Sequence, residues 1–202
     1  MTVCMHSENS SATSARLLLA SASQRRAQIL SGLGVAFDVV RPDLAEAHYP
    51  ADPRRTALEN AQRKNAWARE RFPTRPVLTA DTIVAFENRC ISKPGSIDEA
   101  FVFLRAFSGK TQSVFTGVVF SRPGASTPQV SLERSEVTFK ALTDATIRRY
   151  FDRVNPLDKA GAYNIEQQSD LIVDSFSGSL TNIMGLPVEI VSAWLRAACL
   201  WV

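Results

Sequence analysis

Cysteine and histidine are scarce in this chain of 202 residues. The three cysteines, Cys4, Cys90 and Cys199, are odd in number, lie far apart and form no C-x-x-C pair or zinc spacing. That argues against a disulfide framework and leaves reduced thiols in a cytoplasmic protein as the expectation. The two histidines, His6 and His48, are too distant in sequence to suggest a metal site. No stretch approaches the roughly 18 apolar residues of a membrane helix, so no membrane span is expected. An excess of one charge is also missing. Lys plus Arg is 23 and Asp plus Glu is 20, a balance of +3, too small for a nucleic-acid coat. Three catalytic signatures are absent as well. No G-x-x-x-x-G-K-[ST] argues for a P-loop, no G-x-S-x-G elbow or Cys–His pair for a covalent nucleophile, and no G-x-G-x-x-G follows a strand.

What is present is ordinary globular material, 45% hydrophobic and 21% charged. At roughly 100–200 residues per domain, the length predicts one domain, assigned to residues 15–202. Residues 1–14 are rich in Ser and Thr and read as a flexible N-terminal extension. The apolar run that follows, Leu17 to Ala20, is too short for a signal-peptide core of about 7–15 residues, and no positive charge precedes Ala15.

Residues 16–20 read as a buried strand, and Ser23 as the N-cap of a helix reaching about Leu33. Residues 35–40 predict a second strand. Asp52-Pro53 opens a long helix whose buried stripe is Ala57, Leu58, Ala61 and Trp67, with Arg54, Arg55, Glu59, Arg63 and Lys64 on other faces. Residues 77–86 predict a strand interrupted by Asp81, turning back at 87–89 toward Cys90 and Ile91. Ser96-Ile97-Asp98-Glu99 is a capping box for a helix to about Phe107. Residues 111–121 and 129–139 read as paired strands, and 143–152 as helix. Short irregular elements then lead to a last amphipathic helix from Pro187, whose Trp194 is expected in the core. This order predicts an α/β or α+β domain with a mixed sheet.

Several clusters suggest chemistry. Ser21-Ala22-Ser23-Gln24-Arg25-Arg26 joins a strand to a helix N-terminus, where free N–H groups, hydroxyls and an arginine fork suit phosphate; alone it is equally a capped helix with solvated arginines. Asp81 puts a carboxylate inside an apolar strand, which requires a pairing partner, a metal, or work as a general base. Glu59 with Arg63 makes an i, i+4 surface pair by default. Lys93-Pro94-Gly95 and residues 158–163 are stiff loops that aim a lysine.

Taken together, these pieces resemble the Maf family of nucleoside triphosphate pyrophosphatases. The resemblance runs from about Leu17 to the C-terminus. Its pieces, in the family's order, begin with Leu-Ala-Ser-Ala-Ser-Gln-Arg-Arg at 19–26, Pro42-Asp43-Leu44-Ala45-Glu46, and Ala57-Leu58-Glu59-Asn60-Ala61 followed by Lys64. Ala80-Asp81-Thr82, Lys93-Pro94, Ser108-Gly109-Lys110 and Thr116-Gly117-Val118 come next. Pro156-Leu157-Asp158-Lys159-Ala160-Gly161-Ala162-Tyr163 and Gly185-Leu186-Pro187 complete the set. The resemblance implies a mixed, twisted α/β sheet with flanking helices, two lobes around a cleft, like inosine triphosphate pyrophosphatases. It implies hydrolysis of a nucleoside triphosphate to monophosphate and pyrophosphate with a divalent cation, Mg²⁺ or Mn²⁺, and a homodimer. It also implies a link to inhibition of septum formation. By the same resemblance Asp81 is the proton acceptor, Glu46, Glu59 and Asp81 are the acidic, metal-side set, and Ser21, Arg25, Arg26, Lys64, Lys93 and Lys159 face the phosphates.

The chain departs from the family at Gln24 (usually Pro), Ala45 (usually Asp) and Gln112 (often His). Arg25, Thr82 and Glu166 stand at three base-selecting positions. The dTTP/UTP branch carries Arg, Thr and Gln there; the branch acting on 7-methyl-GTP carries an apolar or aromatic residue, Gln and Glu. Two of three matches favour a pyrimidine substrate, with Gln167 as a neighbouring amide. The competing readings are the same reaction on 7-methyl-GTP and a non-enzymatic regulator of cell division. A nucleic-acid binder fits least, since no aromatic residues interleave with Arg25 and Arg26.

Overall fold

The computed structural model describes residues 16–201, so the flexible extension expected at 1–14 lies outside them. The apolar strand Leu17–Ala20 (β1) ends at Ser21, and Ser23 caps the helix Gln24–Gly32 (α1) by accepting from the Arg26 N–H. The strand Phe37–Val40 (β2) follows. Asp52 caps the helix Pro53–Arg71 (α2), with proline at its start where a missing N–H does no harm. The strand Val77–Phe86 (β3) runs unbroken through Asp81, where the sequence suggests an interruption. Glu87 and Asn88, both with positive φ, form the turn into Arg89–Ile91 (β4).

Ser96 caps the helix Ile97–Phe107 (α3), and the capping-box Glu99 accepts from the Gly95 N–H. Thr111–Ser121 (β5) and Gln129–Phe139 (β6) form the long hairpin. Asp144–Phe151 (α4) and two 3₁₀ turns, Ala160–Ala162 and Ser169–Leu171, follow. Val173–Ser177 (β7), Leu180–Met184 (α5) and Val188–Ala197 (α6) complete the order. The sequence marks no strand at β7 and no helix at α5.

Among the described residues the sheet has seven strands in the order β2-β1-β3-β5-β6-β7, with β4 also against β3. β1 is parallel to both neighbours, while the pairs β3–β4, β3–β5, β5–β6 and β6–β7 are antiparallel, giving the expected mixed sheet. β1 meets β3 only at Val77 and Leu78, and β4 meets it only at 84–86. Residues 79–83 therefore have no strand beside them on that edge, among the described residues. The split opens where β1 and β2 end, and the carboxyl ends of parallel strands are where open α/β sheets place ligands.

One face of β3 and β5 carries two apolar cores. Leu17, Leu30, Leu78, Phe120, Leu186 and Leu195 build the first, with Trp194 packed half-buried against Phe120. Val84, Leu104, Phe107, Val114, Phe139 and Tyr150 build the second. The register pair Thr82 and Thr116 lies on the seam between them. The other face is covered by α2, which approaches so closely that a Cβ on Gly117 would stand 2.6 Å from the Ala57 carbonyl oxygen. The buried face of α2 combines small residues, Ala57, Ala61 and Ala68, with polar ones, Thr56, Asn60, Lys64 and Asn65. Leu58 and Trp67, expected in the buried stripe, are only half-buried.

Candidate active site

Asp81 and Thr82 are neighbours on β3 and point to opposite faces, as strand geometry requires. Both border a cleft with a cavity volume of about 820 Å³ at the unpaired edge. The turn after β1 brings Ser21 to it, the first turn of α1 brings Arg25 and Arg26, and the loop after β2 brings Glu46; Lys64 comes from α2, and Lys93 and Lys159 from the later loops.

On the α2 side, Asp81 is 7% exposed and Lys64 9% exposed. Lys64 Nζ stands 2.6 Å from Asp81 Oδ1 and 2.6 Å from Glu46 Oε1. The sequence places Lys64 on an outer face of its helix. The structure corrects this: the four-residue spacing of Asn60 and Lys64 turns both toward β3. Asn60 Nδ2 donates to Asp81 Oδ2 at 3.2 Å and to the Ala47 carbonyl at 3.0 Å, and its Oδ1 accepts from the Ala47 N–H at 2.7 Å. Asn60 thus fastens the loop carrying Glu46 to the helix that reaches Asp81. Burial pushes the Asp81 carboxyl above the ordinary carboxylate range, and the Lys64 ammonium pulls it partly back.

Glu59 does not join this group. Its carboxylate accepts from the Tyr49 hydroxyl at 3.0 and 3.1 Å and pairs with Arg55 at 3.4 Å, rather than with Arg63. Arg55 lies over the Tyr49 ring, which holds the pair together on the helix surface. One residue is about 100° around a helix, enough to take Glu59 off the face that Asn60 and Lys64 share. Among the described residues, no three His, Cys, Asp or Glu side chains converge, and of the expected Glu46, Glu59 and Asp81 only Glu46 and Asp81 meet, on the Lys64 ammonium.

On the other face, Arg26 is buried and spreads its fork over three partners. Nε donates to the Gly185 carbonyl at 2.8 Å, Nη1 to Ser21 Oγ at 3.1 Å and Nη2 to Thr82 Oγ1 at 2.9 Å. Gly185 presents that carbonyl from a backbone with φ of 110°, a conformation that suits glycine. Burial lowers the Arg26 pKa, opposed by Asp81 and Glu46, and a guanidinium stays charged throughout the working range. Ser21 Oγ also accepts from the Ser23 N–H at 3.1 Å, so both its lone pairs are filled and its hydrogen is free to donate. Lys159 pairs with Asp158 beside it, whereas Lys93 is exposed at the cleft rim.

Arg25 Nε pairs with Glu166 Oε2 at 3.3 Å. Glu166 is exposed and is engaged by Arg25 rather than lining the cleft itself. Its loop is held from beneath: the Asn164 N–H donates to the Tyr150 hydroxyl at 2.8 Å. Burial pushes that phenol up to about 12, so it stays neutral there.

Sequence reasoning gave no role to Asn60, Thr116 or Gly185. The Asn60–Lys64 spacing was the available signal for the first. The other two become visible only through strand register and a carbonyl that no side-chain pattern encodes.

A sequence profile described as Maf-like protein matches residues 16–198. A protein of Deinococcus radiodurans named dTTP/UTP pyrophosphatase is 40% identical over 186 residues, covering 92% of this chain and 94% of its own. Proteins of the same name from Chromobacterium violaceum and Thermotoga maritima are 37% and 33% identical, covering 86% and 92% of this chain and 90% and 91% of theirs. The solved Ham1 protein of Staphylococcus aureus superposes with a TM-score of 0.49 at 14% identity, covering 91% of this chain and 99% of that one, a likeness too loose to carry a conclusion. With a profile match over nearly its whole described length, the chain belongs to the Maf-like protein family.

Proposed function

We propose that this protein hydrolyses a pyrimidine nucleoside triphosphate, dTTP or UTP, to the monophosphate and pyrophosphate. The observation that carries the reading is a buried aspartate held by Lys64 and Asn60 in a cleft lined with cations. Ser21, Arg25, Arg26, Lys93 and Lys159 supply donors and positive charge to a triphosphate. The names of the relatives support the same substrate class. Glu166 matches the 7-methyl-GTP branch at its position, but Arg25 holds its carboxylate, which favours the pyrimidine reading.

Asp81 takes a proton from the attacking water. The water oxygen bonds to the α-phosphorus, the α–β bridge breaks, and pyrophosphate leaves with the bridging oxygen. Burial makes Asp81 a stronger base than a surface carboxylate, while Lys64 keeps it ionised. Glu46 and Asp81 aim hard oxygen donors at one point now held by the Lys64 ammonium, and two carboxylates plus substrate phosphates suit Mg²⁺ or Mn²⁺. Such an ion, when bound, neutralises phosphate charge.

The test is pyrophosphate release from dTTP, UTP, CTP, 7-methyl-GTP and ITP, with Asp81→Asn alongside. Release from dTTP and UTP is expected, with turnover at least about 100-fold lower in the variant and an unchanged circular-dichroism spectrum. Near-normal turnover by Asp81→Asn would remove the general base. Activity on 7-methyl-GTP alone would overturn the pyrimidine assignment.

A further inference from the structure

Thr82 stands where the cationic end of the cleft meets a wall of Val84, Tyr163, Ile165, Ile183 and Met184. That is the place for the base of a nucleotide whose phosphates lie among the cations. A hydroxyl has one hydrogen and two lone pairs. One Thr82 lone pair takes the Arg26 N–H at 2.9 Å. Thr116 Oγ1 lies 3.0 Å away, fully buried, with the Asn182 carbonyl 3.1 Å beyond it. That carbonyl is a better acceptor for the Thr116 hydrogen than a hydroxyl already bonded to a guanidinium, so Thr116 in turn accepts from Thr82. The Arg26 charge polarises the Thr82 O–H in the same direction. The Gly185 carbonyl can also accept from Thr82 but lies 3.4 Å away, a longer and weaker contact than Thr116 at 3.0 Å, and by either route the hydrogen is turned from the cleft. Thr82 therefore keeps one lone pair for the cleft and no hydrogen. Ser21, at the other arm of the same guanidinium, has the opposite polarity.

We propose that Thr116 is a positioning residue for base choice. By taking the Thr82 hydrogen, it makes the Thr82 hydroxyl a pure acceptor. The cleft then selects a base with an N–H at that point, such as N3–H of uracil or thymine, over cytosine, whose N3 offers a lone pair. The inference rests on the pyrimidine triphosphate reading above and deepens it.

The experiment compares kcat/KM for UTP, CTP and N3-methyl-UTP in the wild type, Thr116→Val and Thr116→Ser. The wild type prefers UTP to both others by at least roughly 100-fold, because a site built around a hydrogen bond rejects analogues that cannot make it. Thr116→Val leaves the Thr82 hydrogen only the longer contact to the Gly185 carbonyl, so it can turn to the cleft, and the UTP-to-CTP ratio falls at least about tenfold through lost UTP and gained CTP turnover. Thr116→Ser restores the ratio. An unchanged ratio in a folded Thr116→Val protein overturns the proposal. So does equal wild-type turnover of UTP and N3-methyl-UTP, a comparison that needs no variant to fold. Absence of pyrophosphate release from every nucleotide in the wild type would instead sink the reading on which the proposal rests.

Discussion

Lys64 stands between two carboxylates, and its effect on Asp81 has a definite sign. Burial raises the Asp81 pKa and the ammonium lowers it, with burial dominant. The acid limb of kcat/KM, where Asp81 loses its proton, is therefore expected above the ordinary aspartate value of about 3.9. Lys64→Met removes the lowering partner, so the limb should move further toward alkaline pH, as a pH–rate profile would record. A limb that stays in place would show that another group carries it. Asp81 was legible in the sequence, because a lone carboxylate in an apolar strand demands an explanation. Its partner was legible only as a charge, since the pairing of residues 17 apart is made by helix-on-sheet packing. Glu59 drew attention as an acid, yet Asn60 beside it touches the aspartate. An uncharged amide gives no sequence signal except its spacing from Lys64.

Between elements, the reach of α2 to β3 depends on how near the helix lies. Gly117, the register partner of Asp81 on β5, removes the Cβ that would meet the Ala57 carbonyl oxygen at 2.6 Å. Gly117→Ala should push the helix outward, costing about 1–3 kcal/mol by overpacking. It should also lower turnover, because Asn60 and Lys64 move with the helix; thermal melting and pyrophosphate release measure the two effects. An unchanged melting temperature would mean that the helix yields freely. The main helices and the long strands were readable because caps and periodic burial are local. Ser23, Asp52 and Ser96 all accept the N–H bonds their positions predict, and Thr143, read only as helical, caps α4 in the same way. β7 and α5 were not readable. Most of β7 is exposed, so it lacks apolar alternation, and α5 has only five residues. α5 is held by non-local bonds, such as Asn182 Nδ2 to the Val114 carbonyl at 3.2 Å and to Ser135 Oγ at 3.0 Å.

In the whole molecule, folding and activity are expected to separate in their need for a cation. Lys64 already sits between Glu46 and Asp81 and offsets half of their combined charge within the protein. A chelator should therefore stop pyrophosphate release and leave the melting temperature unchanged, as calorimetry beside the activity assay would show. A large drop in melting temperature would mean that the two carboxylates repel each other despite the lysine. The two cores flanking the cleft also share a sheet. β3 and β5 pair from Val77 with Ser121 to Ala85 with Ser113, and β5 continues into the β6 ladder. These strands run as a beam under both lobes, so any closing of the cleft must bend that shared sheet or move the loops on its rim. A nucleotide must enter past the loops on the rim, around Arg25, Glu46 and Lys159. The width of the mouth is set by the reach of a few side chains over one continuous sheet.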